Sequence, residues 1–401
     1  MSQKQIVLSP AVQHLVDDGY EVDIQHQHLL VYSVPYVAPN REIDTGILVC
    51  PYLEVNGMDS KPPDHTVWFK GQTPCTAQGK PLHTLINNSN PKTLFDRFVV
   101  QHYLSNKPCG VSDFPSDYYV KMVHYIDLIM AQARVIDPDV DARTGRVIET
   151  RAEDAVFKYP DSASARAGIV AVTQKLSMPK VALVGTGGTG SYILDQVVKT
   201  PVKEVHLFDG GDFRRHNAFR APGAPSIETL MRKLKKTDYF CEVYGAMRHG
   251  MFSHPYNIDE ENVSELAQFD FVFVSVDDSV SRGLICQYLQ DTGIPFVDVG
   301  MGLEKVEDSM SLLGVCRVTL GTESKIDHLD KRLPIADDRD DALYRSNIQV
   351  ADFNALNAML AVIKWKQFCG FYTDYDQAHN LSFSLAMQSL VREDKLVGDF
   401  A

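Results

Sequence analysis

The residues whose types and spacing point most directly to chemistry begin at Gly185-Thr186-Gly187-Gly188-Thr189-Gly190. This run lies between the apolar VALVG (181–185) and the helix-patterned SYILDQVVKT (191–200). Glycines at such a junction permit a tight turn and let phosphates reach backbone N–H groups at the positive end of a helix. Gly185, Gly187, Gly188 and Gly190 are therefore candidate nucleotide-binding positions. Asp209 closes the next apolar run, where a carboxylate can hydrogen-bond a ribose. These features predict an adenine nucleotide and leave NAD and ATP both open. The loop from Asp209 carries Asn217 and Arg220 and leads to the basic run Arg232, Lys233, Lys235, Lys236. A triphosphate needs cations near its terminal phosphates, whereas a dinucleotide's two phosphates rely largely on backbone. Asp277-Asp278 ends a later apolar run, at the strand end where open α/β sheets bind ligands. A hard oxygen ligand beside phosphates suits Mg²⁺.

Positioning these residues requires alternating strands and helices. EVHLFD (204–209), FDFVFVSVDD (269–278) and IPFVDVG (294–300) join VALVG as buried parallel strands, with helices over 191–200 and 279–293. Residues 311–320 read as a strand, 348–368 as a helix and 381–391 as a closing strand. The first 150 residues differ. SPAVQHLVDDG (9–19) predicts a short helix, and β-branched and aromatic runs at 20–25, 28–37, 44–53 and 65–70 predict an antiparallel meander. PKTLFDRFVVQHYLS (91–105) and residues 116–135 have helical spacing, and a further helix over 161–176 is predicted to end the connector. The expected fold class is α/β. A smaller α+β domain (helix, antiparallel meander, helices) over 1–150 precedes a nucleotide-binding domain over 151–401.

The 401 residues are 44% hydrophobic and 23% charged, an ordinary globular balance that argues against whole-chain disorder. The net charge of −13 argues against a nucleic-acid coat or an anionic-membrane binder. No apolar stretch is long enough for a membrane span, and the N-terminal residues show no signal-peptide pattern, so a cytoplasmic location is expected. Seven cysteines without a CxxC pair suit reduced thiols and no zinc site. His26-x-His28 supplies two metal ligands at most, with no acid or thiol to complete the set.

Taken in order, the glycine run, Asp209, Asn217-Ala-Phe-Arg220, a lysine and Asp277 resemble the ThiF/MoeB/HesA adenylyltransferases, the core shared with ubiquitin-activating enzymes. The resemblance covers roughly residues 160–320. It implies a Rossmann-like adenylation domain that activates the C-terminal carboxylate of a ubiquitin-like protein with ATP and Mg²⁺, in a bacterial type of modification pathway. It assigns Arg220 and either Lys233 or Lys236 to the phosphates, Asp277 to Mg²⁺, and Gly185, Gly187, Gly188, Gly190, Asp209 and Asn217 to the nucleotide. Asp278 stands where the family has Asn. Arg166 is the candidate for an arginine that reaches a partner subunit's nucleotide, and the family's habit implies a homodimer. Trp365 and Phe368 suit either that contact or the core.

Two features depart from the family. The CxxC pairs of many members are absent, and no cysteine lies in the segment after Leu320, where a catalytic thiol loop is expected. Cys241, Cys286 and Cys316 fit core positions. The chain then either stops at the acyl-adenylate or passes the acyl group to a hydroxyl such as Thr322 or Ser324. Alternatives from other classes are a catalytically silent subunit that binds a ubiquitin-like protein, and an NAD-dependent oxidoreductase. In the first domain, Pro62-Pro63, Val67, Phe69, Thr73-Pro74-Cys75 and Gly79-Lys80-Pro81-Leu82 resemble segments of ubiquitin-conjugating enzymes over about 25 residues. The position of their catalytic cysteine falls near Leu82–His83 and holds none. Three readings stand: an inactive conjugating-enzyme-like fold that docks partners, a conjugating-type partner among them; an acyl acceptor at Cys75; or an unrelated α+β adaptor.

Overall fold

The computed structural model describes residues 10–146, 155–333 and 348–395, apart from positions 56, 57, 60, 96, 109, 112, 160, 162, 165, 166 and 168. Packing divides the chain into two units, Met1–Val170 and Ala171–Ala401.

The first unit opens with α1 (Pro10–Asp17) and the strands β1 (Val22–Gln25), β2 (His28–Val37), β3 (Ile43–Pro51) and β4 (Val67–Lys70). These pair antiparallel in chain order, as the turn-separated β-branched runs require. Residues 91–105 depart from the expected helix. They form β6 (Lys92–Phe95), β7 (Phe98–Val100) and β8 (His102–Leu104), preceded by β5 (Ile86–Asn88). The main sheet runs β1–β2–β3–β4–β8–β5, and β6 pairs with β7 as a separate hairpin. The reason is tertiary: one sheet face is covered by α2 (Tyr118–Ile136), and the other needs the apolar side chains of Leu94, Phe95 and Phe98 against Leu30, Val49 and Val100. Thr93, Val99 and Val100 are β-branched and accept the pleat. Helix α2 starts where Asp117 accepts a hydrogen bond from the Val120 amide at 2.8 Å.

Within 161–176, the described helical residues are confined to Ala163–Ser164, Val170–Thr173 and a 3₁₀ turn over Gln174–Leu176. Strand β9 (Lys180–Val184), α3 (Gly188–Val197) and β10 (Glu204–Phe208) then make the expected βαβ unit. Two short helices, α4 (Arg215–Ala218) and α5 (Ile227–Met231), precede α6 (Lys236–Gly245), β11 (Met251–His254), β12 (Phe271–Val274) and α7 (Ser279–Thr292). Strands β13 (Phe296–Val306) and β14 (Ser311–Gly321) follow, then α8 (Leu329–Arg332) and α9 (Ala351–Phe368). The expected single strand over 381–391 is two, β15 (Ala378–Ser384) and β16 (Ser389–Lys395), because the chain reverses through a left-handed Gln388 at φ +47°. The eight-stranded order is β11–β10–β9–β12–β13–β14–β15–β16, parallel from β11 to β13 and antiparallel beyond.

Strand order reverses at β9, which has β10 on one side and β12 on the other. That reversal opens a crevice at the carboxyl ends of the strands. Val181, Leu183, Leu207, Phe271 and Phe273 pack with Trp365 of α9 in the core on one face, while Ala182, Val184, Phe208 and Val272 pack with Ile285 and Leu289 of α7 on the other. Trp365 therefore serves the core, whereas Phe368 is 41% exposed. No helix among the described residues is long and apolar enough to cross a membrane.

Candidate active site

The switch-point crevice is a cleft of about 200 Å³ bordered by Gly185, Gly187, Gly188, Asp209, Arg220, Lys236 and Asp277 among others. Gly185 and Asp277, 92 positions apart in the sequence, meet here because β9, β10 and β12 end side by side.

The glycines have different tasks. Gly185 has φ +89°, and a side chain there would run into the Ser275 carbonyl of the neighbouring strand end. Gly190 packs against the Gly185 carbonyl, closing the turn, and does not border the cleft. Gly187 precedes α3 and has open space where a side chain would stand. The first amides of α3 have no partner in their own helix, which suits an anion on that open side.

Asp209 follows β10 and is heavily engaged. Its carboxylate accepts from the Thr186 amide (2.8 Å), the Thr186 hydroxyl (3.1 Å), the Gly211 amide (2.8 Å) and Lys236 Nζ (3.1 Å to each oxygen). Lys236 opens α6 and borders the cleft. Lys233 does not. It sits at φ +52° in a separate depression beside Asp212, Phe213, Arg214, Arg215 and His216. Lys235 is tied to the Gly210 carbonyl (2.8 Å) and to Asp212 (3.0 Å).

Asn217 is buried and does not border the cleft. Its Oδ1 accepts from the Arg214 amide at 2.8 Å and its carbonyl accepts from the Arg220 amide at 3.1 Å, so it shapes the loop that delivers Arg220. The Nε of Arg220 is buried without a hydrogen-bond partner. Burial pulls the guanidinium below its usual proton affinity, and the Asp277 carboxylate opposes that pull. Asp277 is exposed, and Asp278 caps α7 by accepting from the Ser281 amide at 2.6 Å, which holds its carboxyl below the usual range. Arg282 closes this corner. Its Nε lies 3.1 Å from the buried Asp298, and its Nη2 donates to the Val276 carbonyl. Asp298 also pairs with Arg317.

The donor set fits a nucleotide triphosphate: glycine amides, Lys236 and an unpartnered Arg220 Nε on one cleft. It also fits a magnesium ion held by one protein carboxylate, Asp277, since Mg²⁺ commonly completes its shell with phosphates and waters. No cluster of three His, Cys, Asp or Glu among the described residues makes a stand-alone metal site.

The acyl-acceptor candidates lie elsewhere. Cys75 is buried, donates to the Thr73 carbonyl at 3.2 Å, and burial pushes its thiol up. Cys241 and Cys316 are pushed up to about 12 by burial, and Cys286 is raised too. Thr322 and Ser324 face each other at 3.1 Å in a turn and do not border the cleft. Arg166 lies outside the described residues. The sequence reading missed Asn257 and Asn354, which both border the cleft. Asn354 had a signal: with Asn357, it is a polar residue on an otherwise apolar helix pattern.

Residues 162–305 match the model of the ThiF family, and residues 10–162 match a model described as a domain of unknown function, DUF6791. The second unit therefore carries a ThiF family domain. Among solved structures, the chain is similar to E. coli MccB with MccA-N7isoASN (17% identity, 58% of this chain and 69% of that one, TM-score 0.46). It is also similar to E. coli MccB with ATP (16%, 58% and 69%, TM-score 0.44) and to PaaA (15%, 56% and 75%, TM-score 0.43). No curated protein matches the chain.

Proposed function

We propose that the ThiF family domain adenylates the C-terminal carboxylate of a ubiquitin-like protein. The observation that carries this reading is the convergence of Arg220, Lys236 and Asp277 on the glycine turn, with Arg220 Nε buried and unpartnered. A carboxylate oxygen attacks the α-phosphorus of ATP, the bond from that phosphorus to the bridging oxygen breaks, and pyrophosphate leaves with the electron pair. The nucleophile arrives ionised, so no general base is required. Positioning and charge neutralisation carry the rate. Gly187 and the start of α3 receive phosphate, Arg220 and Lys236 neutralise the leaving group, and Asp277 holds the Mg²⁺. The ion, when bound, screens the phosphate charge. A dinucleotide reading leaves these three charged side chains without a task.

The test is ATP–pyrophosphate exchange by the full chain in the presence of a ubiquitin-like protein with a free C-terminus. Wild type is expected to exchange, with Arg220→Ala and Asp277→Ala lowering the rate at least a hundredfold, the scale of losing one preorganised charge partner, about 10²–10³. Binding of the partner without exchange by wild type would instead support a silent binding subunit.

A further inference from the structure

We propose that Asn354 is a phosphate-binding residue of the cleft, with its Nδ2 donating to a phosphate oxygen of the bound nucleotide. This rests on the nucleotide reading above. Asn354 lies in the first turn of α9, is 1% exposed, and borders the same cleft as Gly187, Gly188 and Arg220. One end of its carboxamide is fixed. The hydroxyl of Thr189 donates to Asn354 Oδ1 at 3.0 Å. With Oδ1 at that end, the NH₂ lies at the other. Nδ2 is buried and has no partner.

A buried donor left unmet is costly, and its neighbours on α9, Phe353, Ala358, Ala361 and Val362, show that an apolar side chain suits this helix. Asn357 Oδ1 and Trp365 Nε1 of α9 are unmet as well, but of the three residues Asn354 alone borders the cleft, and that position points its donor to a ligand. The neighbouring backbone agrees. A side chain at Gly188 would collide with the Asn354 carboxamide, so the glycine makes room for the asparagine. The adjoining Gly187 faces open space at the start of a ten-residue helix. An anion seated at those amides meets a second, neutral donor that the glycine motif alone does not provide.

The experiment measures binding of ATP, AMP and adenosine by calorimetry to the full chain, wild type, Asn354→Asp and Asn354→Ala, with thermal melts as a fold check. The aspartate keeps an acceptor for Thr189 but replaces the donor with a charged oxygen, so a loss of ATP affinity counts for the proposal only where the neutral Asn354→Ala shows it as well. ATP affinity is expected to fall at least tenfold, AMP affinity to fall less, and adenosine affinity to stay within twofold. Should the aspartate variant fail to fold, Asn354→Ala carries the comparison alone, with the same contrast expected. Unchanged ATP affinity in Asn354→Ala would overturn the proposal, as would equal losses for ATP and adenosine, which mark a purely structural side chain. Failure of wild type to bind ATP would overturn the nucleotide reading itself, and this proposal with it.

Discussion

Lys233 and Lys236 stand three positions apart and end in different surroundings. Lys236 opens α6 with Nζ 3.1 Å from both Asp209 oxygens, while Lys233 takes a left-handed backbone beside Arg214 and Arg215. Lys236→Ala is expected to lower the exchange rate at least a hundredfold, in the range of about 10²–10³ for one lost charge partner, and Lys233→Ala less than threefold. Equal losses would send the assignment back to spacing alone. Residue counting from Arg220 leaves both lysines open, because it ignores the left-handed turn that directs Lys233 away. Cys75→Ala tests the acceptor idea at the same scale. A buried thiol with a raised pKa, bonded to the Thr73 carbonyl, is a poor nucleophile, so adenylation and any onward transfer are expected to survive the change. Loss of transfer with exchange intact would restore Cys75 as the acceptor.

Elements place these residues, and their glycines carry much of the load. Gly190 lies inside α3, where alanine ordinarily gains about 1 kcal/mol over glycine. Here the sign reverses, because a methyl group would meet the Gly185 carbonyl. Gly190→Ala is expected to lower the melting temperature and the ATP affinity together; a stabilised variant with full affinity would contradict the packing described. The βαβ unit was legible because continuous apolar strands, a glycine turn and a helix pattern agree with one another. The residues 91–105 were not. Their apolar spacing satisfies a helix locally, and only the uncovered face of the first sheet decides for strands. The closing hairpin was misread for a related reason: nothing in LSFSLAMQSLV distinguishes a strand from a reversal unless the left-handed Gln388 is known. In the cleft, the glycine turn, Asp209, Arg220 and Asp277 were legible from order along the chain. Asn354 showed only as a polar residue on a helix pattern, and nothing local tied it to the cleft, because its partner Thr189 is 165 residues away.

At the scale of the whole molecule, buried and half-buried histidines set the response to acid. Burial lowers His28, His102 and His124 in the first unit and His206, His254, His328 and His379 in the second. Each prefers to remain neutral when folded, so as pH falls through about 6.5 the unfolded chain takes up protons first. Stability is therefore full above that value and lost below it. His206 and His254 sharpen the effect, since their ring nitrogens share one hydrogen bond of 2.9 Å and two protonated rings present two donors to each other. Urea unfolding midpoints are expected to drop between pH 7.5 and 5.5, with a shallower drop in His206→Gln; a midpoint that rises on acidification would sink the idea. The pairing of Lys236 with Asp209 has a consequence of another kind. On the proposed reading, the carboxylate is an internal rival for the cation that a phosphate recruits, so the protein carries its own competitive antagonist. On the nucleotide reading proposed above, affinity follows a difference between two anions, and Asp209→Asn is expected to free Lys236 for the phosphate while weakening any hold on the sugar.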